Sequence, residues 1–414
     1  MKILIVSQYF WPENFRINDL TQELEQRGHE VTVLTGIPNY PAGVVFESYR
    51  LNPMAYRKYG NATILRAPIF VRGFGGLRLL LNYVSFAVAA SIAGPWLLRR
   101  QVVDIIFVFE PSPVTVGLPA VLIGKIKKVP VVFWALDLWP ETLEALGVVR
   151  SPKLLGLVGY LVRFIYARCT LVLGQSRGFL GSIAKYCHDV KKIRYFPSWA
   201  ENIFVEFATV PAPEIPALQG GFNVLFAGNV GEAQDLPSVL DAAELLKNYS
   251  NIRWLIVGDG RMSNWLRQEV ICRGLQDQVL LLGRFPVERM PSFYARADAL
   301  LVSLKKDPVF SMTIPGKVQS YLLSGVPIVA MLDGEGARVV AESNAGLVCP
   351  AGEAGRLAEN VLALMSMPLE KRVQLGLNGR SFAQKEFDRT LLIDRLESLF
   401  KEAVQMFKQD RGLR

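Results

Sequence analysis

Phe222-Asn223-Val224-Leu225-Phe226-Ala227-Gly228-Asn229-Val230-Gly231 is an apolar run that enters a turn of small residues, and a helical pattern begins a few residues later, near Pro237. The run is too short for a helix and reads as a buried strand. A turn of this kind leaves backbone N–H groups unpaired, and the following helix N-terminus adds positive potential, so the junction suits a phosphate. Plain strand-to-helix connection would use the same residues.

The same grammar extends in both directions. Towards the N-terminus, short apolar runs fall at Ile3–Val6, Val31–Leu34, Ile105–Phe109, Val131–Phe133 and Thr170–Leu173; after residue 222 they fall at Val224–Phe226, Trp254–Val257, Val279–Leu282, Leu300–Val302, Ile328–Ala330 and Leu347–Cys349. Helical periodicity fills Asn14–Gln26, Leu77–Leu98, Lys153–Ala167, Pro237–Leu246, Met262–Cys272, Lys317–Leu323, Leu357–Met365 and Leu391–Lys408. Strands alternating with helices predict parallel sheets covered on both faces. The 414 residues are comfortable for two such domains. Val210–Gly221, with three prolines and two glycines and no helical pattern, reads as the break. The expected division is 1–205, a linker at 206–221, a second domain at 222–388 and a last helix at 389–414.

Composition excludes several classes. Hydrophobic residues are 51% and charged residues 20%, which argues against extensive disorder. The four cysteines form no Cys-x-x-Cys pair, and the only histidines are His29 and His188. A structural zinc site and a disulfide framework are both disfavoured, as in a reducing compartment. Met1-Lys2-Ile3-Leu4-Ile5-Val6 is too short an apolar run for a signal peptide and reads as a first buried strand.

The net charge of +9 is lopsided: residues 1–205 hold 23 Lys+Arg against 13 Asp+Glu, and residues 206–414 hold 23 against 24. A basic half needs an anionic partner, whether nucleic acid, anionic lipid or a phosphorylated substrate, unless the charge serves solubility alone. Leu77–Leu98 is long enough to span a bilayer, but Arg78, Asn82, Ser85, Ser91 and Pro95 interrupt it. Spanning would also place flanking strands of one sheet on opposite sides of a membrane. A helix in the membrane interface or a buried core helix fits better. Lys153–Arg168 repeats the apolar pattern with basic punctuation. Two such helices favour lipid over nucleic acid, for which no zinc, RNP or helix-turn-helix signature is present.

Candidate chemistry is sparse. Gly258-Asp259-Gly260-Arg261-Met262-Ser263 nearly matches the dinucleotide fingerprint but lacks its third glycine. There is no Asp-x-Asp; Asp333-Gly334-Glu335 reads as a solvated turn. Ile314-Pro315-Gly316-Lys317 puts Lys317 in the first turn of a helix, beside free N–H groups, where it can neutralise an anion or stand as an ordinary exposed lysine. With only two histidines, a nucleophilic triad has few candidates; His29 reads as structural and His188 as an exposed cap. Asp137 follows a buried strand in Trp134-Ala135-Leu136-Asp137-Leu138-Trp139-Pro140-Glu141. That position faces the crevice of a doubly wound sheet, and its flanking tryptophans offer flat faces to a sugar; a helix-capping Asp is the alternative.

Seven elements in order resemble bacterial retaining glycosyltransferases of family 4 across nearly the whole chain, the WbuB-type branch that builds O-antigen and capsule above all. They are Tyr9-Phe10-Trp11-Pro12-Glu13, Arg27-Gly28-His29-Glu30-Val31-Thr32-Val33, Asp137-Leu138-Trp139-Pro140-Glu141, Pro197-Ser198-Trp199-Ala200-Glu201, Gly228-Asn229-Val230-Gly231-Glu232-Ala233-Gln234, Val257-Gly258-Asp259-Gly260, and Pro315-Gly316-Lys317-Val318-Gln319-Ser320-Tyr321-Leu322 with Gly325-Val326-Pro327.

The resemblance implies an α/β, GT-B architecture, with two Rossmann-like doubly wound domains facing a central cleft. It implies a nucleotide-sugar site at Gly228, Asn229, Gly231, Gln234, Gly258, Gly260, Arg261, Arg284, Met312, Gly316, Gln319 and Ser320. Asn14, Phe15, Arg16, Trp139 and Glu141 would meet the acceptor, and Asp137 and Lys317 would serve catalysis. The last helix would return to the first domain. The chain departs from the family where a Glu-x7-Glu pair becomes Met312 and Ser320. A basic pair becomes Asn229 and Gln234, Gly-Gly becomes Asn14-Phe15, and a histidine becomes Leu136. Fewer cations then remain, which gives Lys317 more weight. The implied reaction moves a sugar, such as an N-acetylated 6-deoxyhexose of the L-fucosamine kind, from a UDP-sugar to a polyprenyl-diphosphate-linked saccharide. It would need no metal and no cofactor, since the nucleotide sugar is a substrate, and would run at an anionic membrane on the cytoplasmic face of the inner membrane. A non-hydrolysing sugar-nucleotide epimerase and a non-catalytic assembly protein share the architecture and stay open.

Overall fold

The computed structural model of the chain describes residues 1–41, 43–73, 76–145, 147–200, 202–204 and 210–412. They form two compact units, one of Met1–Phe196 with Ile393–Arg414 and one of Pro197–Leu392. Glu201, the expected boundary at 205 and the first part of the expected linker, 206–209, lie outside the described residues.

The first unit is built on an eight-stranded sheet. Its strands are β1 (Lys2–Val6), β2 (Glu30–Gly36), β3 (Lys58–Tyr59), β4 (Ala62–Ala67), β5 (Ile105–Glu110), β6 (Val131–Ala135), β7 (Leu171–Gly174) and β8 (Ile193–Tyr195). Their order is β3-β4-β2-β1-β5-β6-β7-β8, parallel except for the short β3–β4 pair. Every residue of β5 and β6 is buried, as expected of strands covered on both faces. The order reverses between β1 and β5, so loops leaving those strands diverge and open a crevice.

The second unit has six parallel strands, β9 (Phe222–Ala227), β10 (Ile252–Val257), β11 (Val279–Gly283), β12 (Ala299–Ser303), β13 (Ile328–Met331) and β14 (Gly346–Cys349). Their order, β11-β10-β9-β12-β13-β14, is the doubly wound order with its reversal between β9 and β12. The stretch 222–231 therefore enters the sheet at its centre and leaves it at the switch point.

All eleven expected strands are present, with ends displaced by one or a few residues. β3, β4 and β8 escape the sequence pattern because they are short or, like Ala62–Ala67, carry an Arg amid mixed residues. The helix Gly117–Lys127 escapes it for the opposite reason: with no charge before Lys125 it has no polar face to set a period. The helices Arg177–Tyr186 and Leu369–Glu386 were also not anticipated.

Two expectations are corrected. Residues 210–221 are no free linker but a strap on the second unit. Ala212 and Ile215 are buried in its core, Ala212 N–H donates to Ser292 O at 2.9 Å, and Arg253 donates to Pro216 O at 2.8 Å. Proline-rich chain can be held by side chains without forming a helix or strand, so composition misleads here. Asp333-Gly334-Glu335 is no solvated turn but the start of the helix Gly334–Glu342. Gly334 has φ +69°, and a Cβ there would stand 1.9 Å from Ser311 O. Asp333 accepts from Ala351 N–H, and Glu335 pairs with Arg338 at 2.9 Å.

The last helix, Arg389–Asp410, passes into the first unit at Ile393. Phe400 meets Phe107 edge-on at 5.4 Å; Arg27 pairs with Asp394 and with Glu397 at 3.2 Å, and Arg194 pairs with Glu402. His29 bridges the Met1 amine, at 3.1 Å, and Glu397, at 2.6 Å, which is a structural use.

The apolar helix runs over Gly76–Leu97. It is long and apolar enough to cross a membrane. One face, with Asn82, Phe86 and Ala90, is fully buried in the unit, while Leu80, Leu81, Val84, Val88, Ile92 and Trp96 stand exposed on the other. It is thus neither a core helix all round nor free of the sheet.

Candidate active site

In the second unit the site is assembled by two glycine turns and one helix. Ala227 and Val257 are partners at the ends of β9 and β10, so the turns that follow lie side by side. Gly228 has φ +143° and Gly258 φ +145°, backbone that favours glycine. A Cβ on Gly258 would fall 1.8 Å from Gly228 O, and one on Gly260 would fall 2.2 Å from Val230 O. Val230 N–H donates to Asp259 O at 3.0 Å, which locks the two turns together. The Asn229 side chain lies between Gly231 and Gly260, at 2.5 Å and 2.8 Å from where their Cβ atoms would be. Neither Gly231 nor Gly260 could carry a side chain without displacing it.

Lys317 approaches from the helix Gly316–Ser324, whose N-cap is Pro315. Its ammonium donates to Gln234 Oε1 at 2.8 Å and stands 3.7 Å from the centre of the Phe226 ring. Nζ would be 3.4 Å from a Cβ on Gly228. Among the described residues it has no acidic partner within ion-pair distance. Close packing strips water from the ammonium, and this desolvation lowers its pKa to about 7. Gln234 ends the turn Glu232–Gln234, and Asp235, at φ +48°, starts the helix Leu236–Leu245. The Gln234 main chain is held by Ser303 Oγ, 2.6 Å from its carbonyl, at the end of β12. A half-buried cation, a helix N-terminus and bare glycine backbone thus converge at the switch point. That arrangement suits an anion of phosphate type.

The remaining expected donor residues are placed unevenly. Gly316 is exposed at the same helix start, and Arg261 and Arg284 are exposed on the turns after β10 and β11. Arg284 acts electrostatically on Asp259. Met312, half-buried, ends the helix Pro308–Met312. Gln319 and Ser320 are buried, and the Gln319 amide donates to Pro315 O at 3.1 Å and Gly316 O at 2.9 Å. Gln319 therefore closes its own helix turn.

Two contributors were missed by sequence reading. Phe226 supplies the ring under Lys317. Tyr321, one helical turn after Lys317, accepts from Ala227 N–H at 2.8 Å and donates to Ala227 O at 3.2 Å, which pins the last residue before Gly228. Its i+4 spacing from Lys317 was the available signal.

In the first unit, Asp137 does lie at the end of β6, but its surroundings differ from expectation. Oδ1 accepts from Leu138 N–H at 2.9 Å and Thr142 Oγ1 at 2.5 Å, and Oδ2 accepts from Trp139 Nε1 at 3.2 Å. Desolvation raises its pKa, against these hydrogen bonds. Glu110, at the end of β5, is wholly buried with neither carboxyl oxygen in a hydrogen bond of ordinary geometry. Burial first, then the charge of Asp137, push its pKa well up. Ser112, strained at φ +124°, lies beside both Asp137 and Tyr83 and helps hold their ionised forms. Tyr9, after β1, feels the charge of Arg72. A connected polar cluster therefore occupies the β1–β5 switch point.

The flanking tryptophans do not offer their faces. Trp134 is fully buried, donating to Phe196 O at 3.0 Å, and Trp139 is 8% exposed with its ring edge-on to Tyr83. Glu141 accepts from Ser182 at 2.6 Å. Asn14 is exposed, Phe15 stacks on Tyr9 at 5.3 Å, and Arg16 begins the helix Arg16–Gln26. Among the described residues no group of three His, Cys, Asp or Glu side chains is arranged to hold a metal ion.

Known proteins resemble the chain in sequence and in fold. Residues 221–367, the segment that carries the glycine turns and Lys317, match the family described as Glycosyl transferases group 1. The chain is 26% identical over 351 residues to WcaI of Escherichia coli K12, described as a colanic acid biosynthesis glycosyl transferase, covering 78% of this chain and 82% of that one. It is 25% identical over 287 residues to WbjE of Pseudomonas aeruginosa, described as a glycosyltransferase, covering 66% and 70%. In fold it is similar to Anabaena HepE, solved with UDP and glucose. The TM-score is 0.67 at 16% identity, over 97% of this chain and 99% of that one.

Proposed function

We propose, from the premise that the chain is a glycosyltransferase of GT-B architecture, that it transfers one sugar from a UDP-sugar to a polyprenyl-diphosphate-linked saccharide in O-antigen or capsule assembly. The observation that carries this reading is Lys317: a cation without a carboxylate partner, set between Gln234, Phe226 and the Gly228 turn. A nucleotide diphosphate would supply the missing negative charge. The naming of WcaI for colanic acid biosynthesis supports a polysaccharide as the product class, and the WbuB resemblance an N-acetylated 6-deoxyhexose as the sugar.

In the proposed reaction the acceptor oxygen forms its bond to the anomeric carbon on the face from which the diphosphate leaves, so configuration is retained. The departing diphosphate oxygen takes the acceptor proton, and UDP carries away the bonding electron pair. Lys317 and the N-terminal end of the Leu236–Leu245 helix stabilise that growing charge. Asp137 orients the acceptor side. No metal and no separate cofactor takes part.

The enzyme would work as a peripheral protein on the cytoplasmic face of the inner membrane. In support, three helices that pack side by side in the first unit, Gly76–Leu97, Gly117–Lys127 and Pro152–Arg168, expose Trp96, Ile126, Leu157, Tyr160 and Phe164. The bases Arg99, Arg100, Lys125 and Arg163, on or next to the same helices, are exposed too.

The test is turnover in EDTA. A panel of UDP-sugars is incubated with the protein and polyprenyl-diphosphate-linked acceptors, with UDP release and product anomeric configuration by NMR as readouts. Transfer with retained configuration supports the reading. Rescue only by Mg²⁺ or Mn²⁺, an inverted product, or an epimerised sugar without acceptor contradicts it.

A further inference from the structure

We propose that the first unit holds the hydrocarbon tail of a single isoprenyl diphosphate in a groove between the loop 68–72 and the Gly76–Leu97 helix, with Arg72 at its phosphate end. This rests on the lipid-linked acceptor of the proposed function and adds where that acceptor sits.

The groove has a volume of about 570 Å³, within the ordinary range for small-molecule sites. Ile69, Phe70, Leu81, Val84, Val88 and Ile92 line it. It is built rather than incidental. Phe70 N–H donates to Ser85 Oγ at 2.9 Å, and Phe70 O accepts from Asn82 Nδ2 at 2.6 Å. Asn82 is fixed in turn by Gln8, which donates to its Oδ1 at 2.7 Å. Both backbone polar groups of Phe70 are thus consumed by the helix, and the one polar lining side chain, Ser85, spends its hydroxyl on Phe70 and on Asn82 O. What faces outward is hydrocarbon: Phe70, Val84, Val88 and Ile92 are 66%, 44%, 53% and 73% exposed. Such a trough offers nothing to a sugar or a peptide backbone, and buries methylenes well.

Charge complementarity selects the occupant. Two residues beyond Phe70, the Arg72 guanidinium lies 5.1 Å from the centre of the Tyr40 ring, and its charge acts on the Tyr9 hydroxyl. It has no acidic partner among the described residues. Its charge is felt by Tyr83, which touches Trp139 and lies beside Ser112 near Asp137. The apolar trough and the polar cluster therefore share one loop and one helix turn, 81–85. A tail laid in the trough brings its diphosphate to Arg72, and the sugar beyond that diphosphate comes to Asp137. A bilayer lipid would use the exposed helix face without needing this junction.

The experiment measures binding of farnesyl diphosphate, geranyl diphosphate and inorganic diphosphate to the full chain by calorimetry, with UDP binding as the control for folding. Farnesyl diphosphate is expected to bind at least about tenfold tighter than geranyl diphosphate, because one more isoprene unit is buried. Val88→Glu, at an exposed position, is expected to weaken farnesyl diphosphate about tenfold or more while UDP affinity stays unchanged. Arg72→Gln is expected to weaken farnesyl diphosphate but not farnesol. Equal affinity for farnesyl and inorganic diphosphate overturns the proposal. So does Val88→Glu binding farnesyl diphosphate like the wild type, including the case where that variant loses only phosphatidylglycerol vesicles, which would make the trough a membrane contact. A wild type that transfers sugar to a lipid-linked acceptor without binding farnesyl diphosphate overturns the groove alone. One that binds farnesyl diphosphate but transfers no sugar overturns the functional reading alone.

Discussion

Lys317 donates to Gln234 Oε1 at 2.8 Å, a neutral partner where a buried ammonium would ordinarily meet a carboxylate. Gln234 can orient the charge without cancelling it. The fold therefore keeps an incompletely compensated cation beside the Gly228 turn, which costs stability and favours an incoming anion.

Replacing that lysine should separate the two effects. Lys317→Met is expected to lower turnover on the order of a hundredfold, the loss of about 3 kcal/mol of transition-state stabilisation. The same change should raise stability at pH 7 by about 1–3 kcal/mol, allowing for the part of the side chain still in water. Urea denaturation and initial rates measured on the same preparation check both. A variant that is less stable and equally active refutes the assignment.

The lowered pKa also sets a pH profile. Lys317 titrates at about 7 when folded and near 10.5 when unfolded, so the unfolded chain binds more protons between those values. Its contribution to stability therefore rises with pH from about 7 to about 10.5, and Lys317→Met should lack that rise. For ligand binding the sign is opposite. An anion restores the proton, so UDP affinity should hold below pH 7 and fall above it by up to about tenfold per unit. Calorimetry in two buffers of different ionisation enthalpy should detect proton uptake at pH 8.

Glycine substitutions should sort by what the new methyl meets. Gly258→Ala, aimed 1.8 Å from Gly228 O at φ +145°, should abolish UDP binding and cost more than about 3 kcal/mol. Gly352→Ala, at φ +82° with nothing within 4 Å, should cost only about 1 kcal/mol. Thermal melts of both variants, read beside UDP titration, make the comparison.

Much of this site could be read from residue types. Gly228, Gly258 and Lys317 each sit where a strand end or helix start announces itself locally, so short-range pattern was enough. The misreadings are tertiary. Whether Trp139 shows its face or its N–H depends on Asp137 and Tyr83, 56 residues apart from it in the case of the latter and invisible to spacing. Gln319 looks like a ligand-facing amide until its own helix carbonyls claim it. Residues 210–221 read as a linker because Ser292 and Arg253, which hold them, lie far along the chain.

Glu110 yields a stability test of the first unit. Its folded pKa lies well above the unfolded value, so the folded state binds more protons over that interval and stability falls as pH rises through it. Glu110→Gln keeps the shape without the ionisation. It is expected to be more stable than the wild type at neutral pH, with the difference shrinking towards pH 4.5. Denaturant midpoints at pH 4.5, 6 and 7.5 check the trend, and a constant difference would remove Glu110 from it.

The most direct measurement is titration of UDP into the wild-type chain and into Lys317→Ala at pH 6.5, where the lysine is mostly charged. The wild type should bind one UDP per chain, and the variant should bind it at least about tenfold more weakly with its fold intact. Equal affinities, or no UDP binding by the wild type, would contradict a nucleotide-sugar site at Lys317.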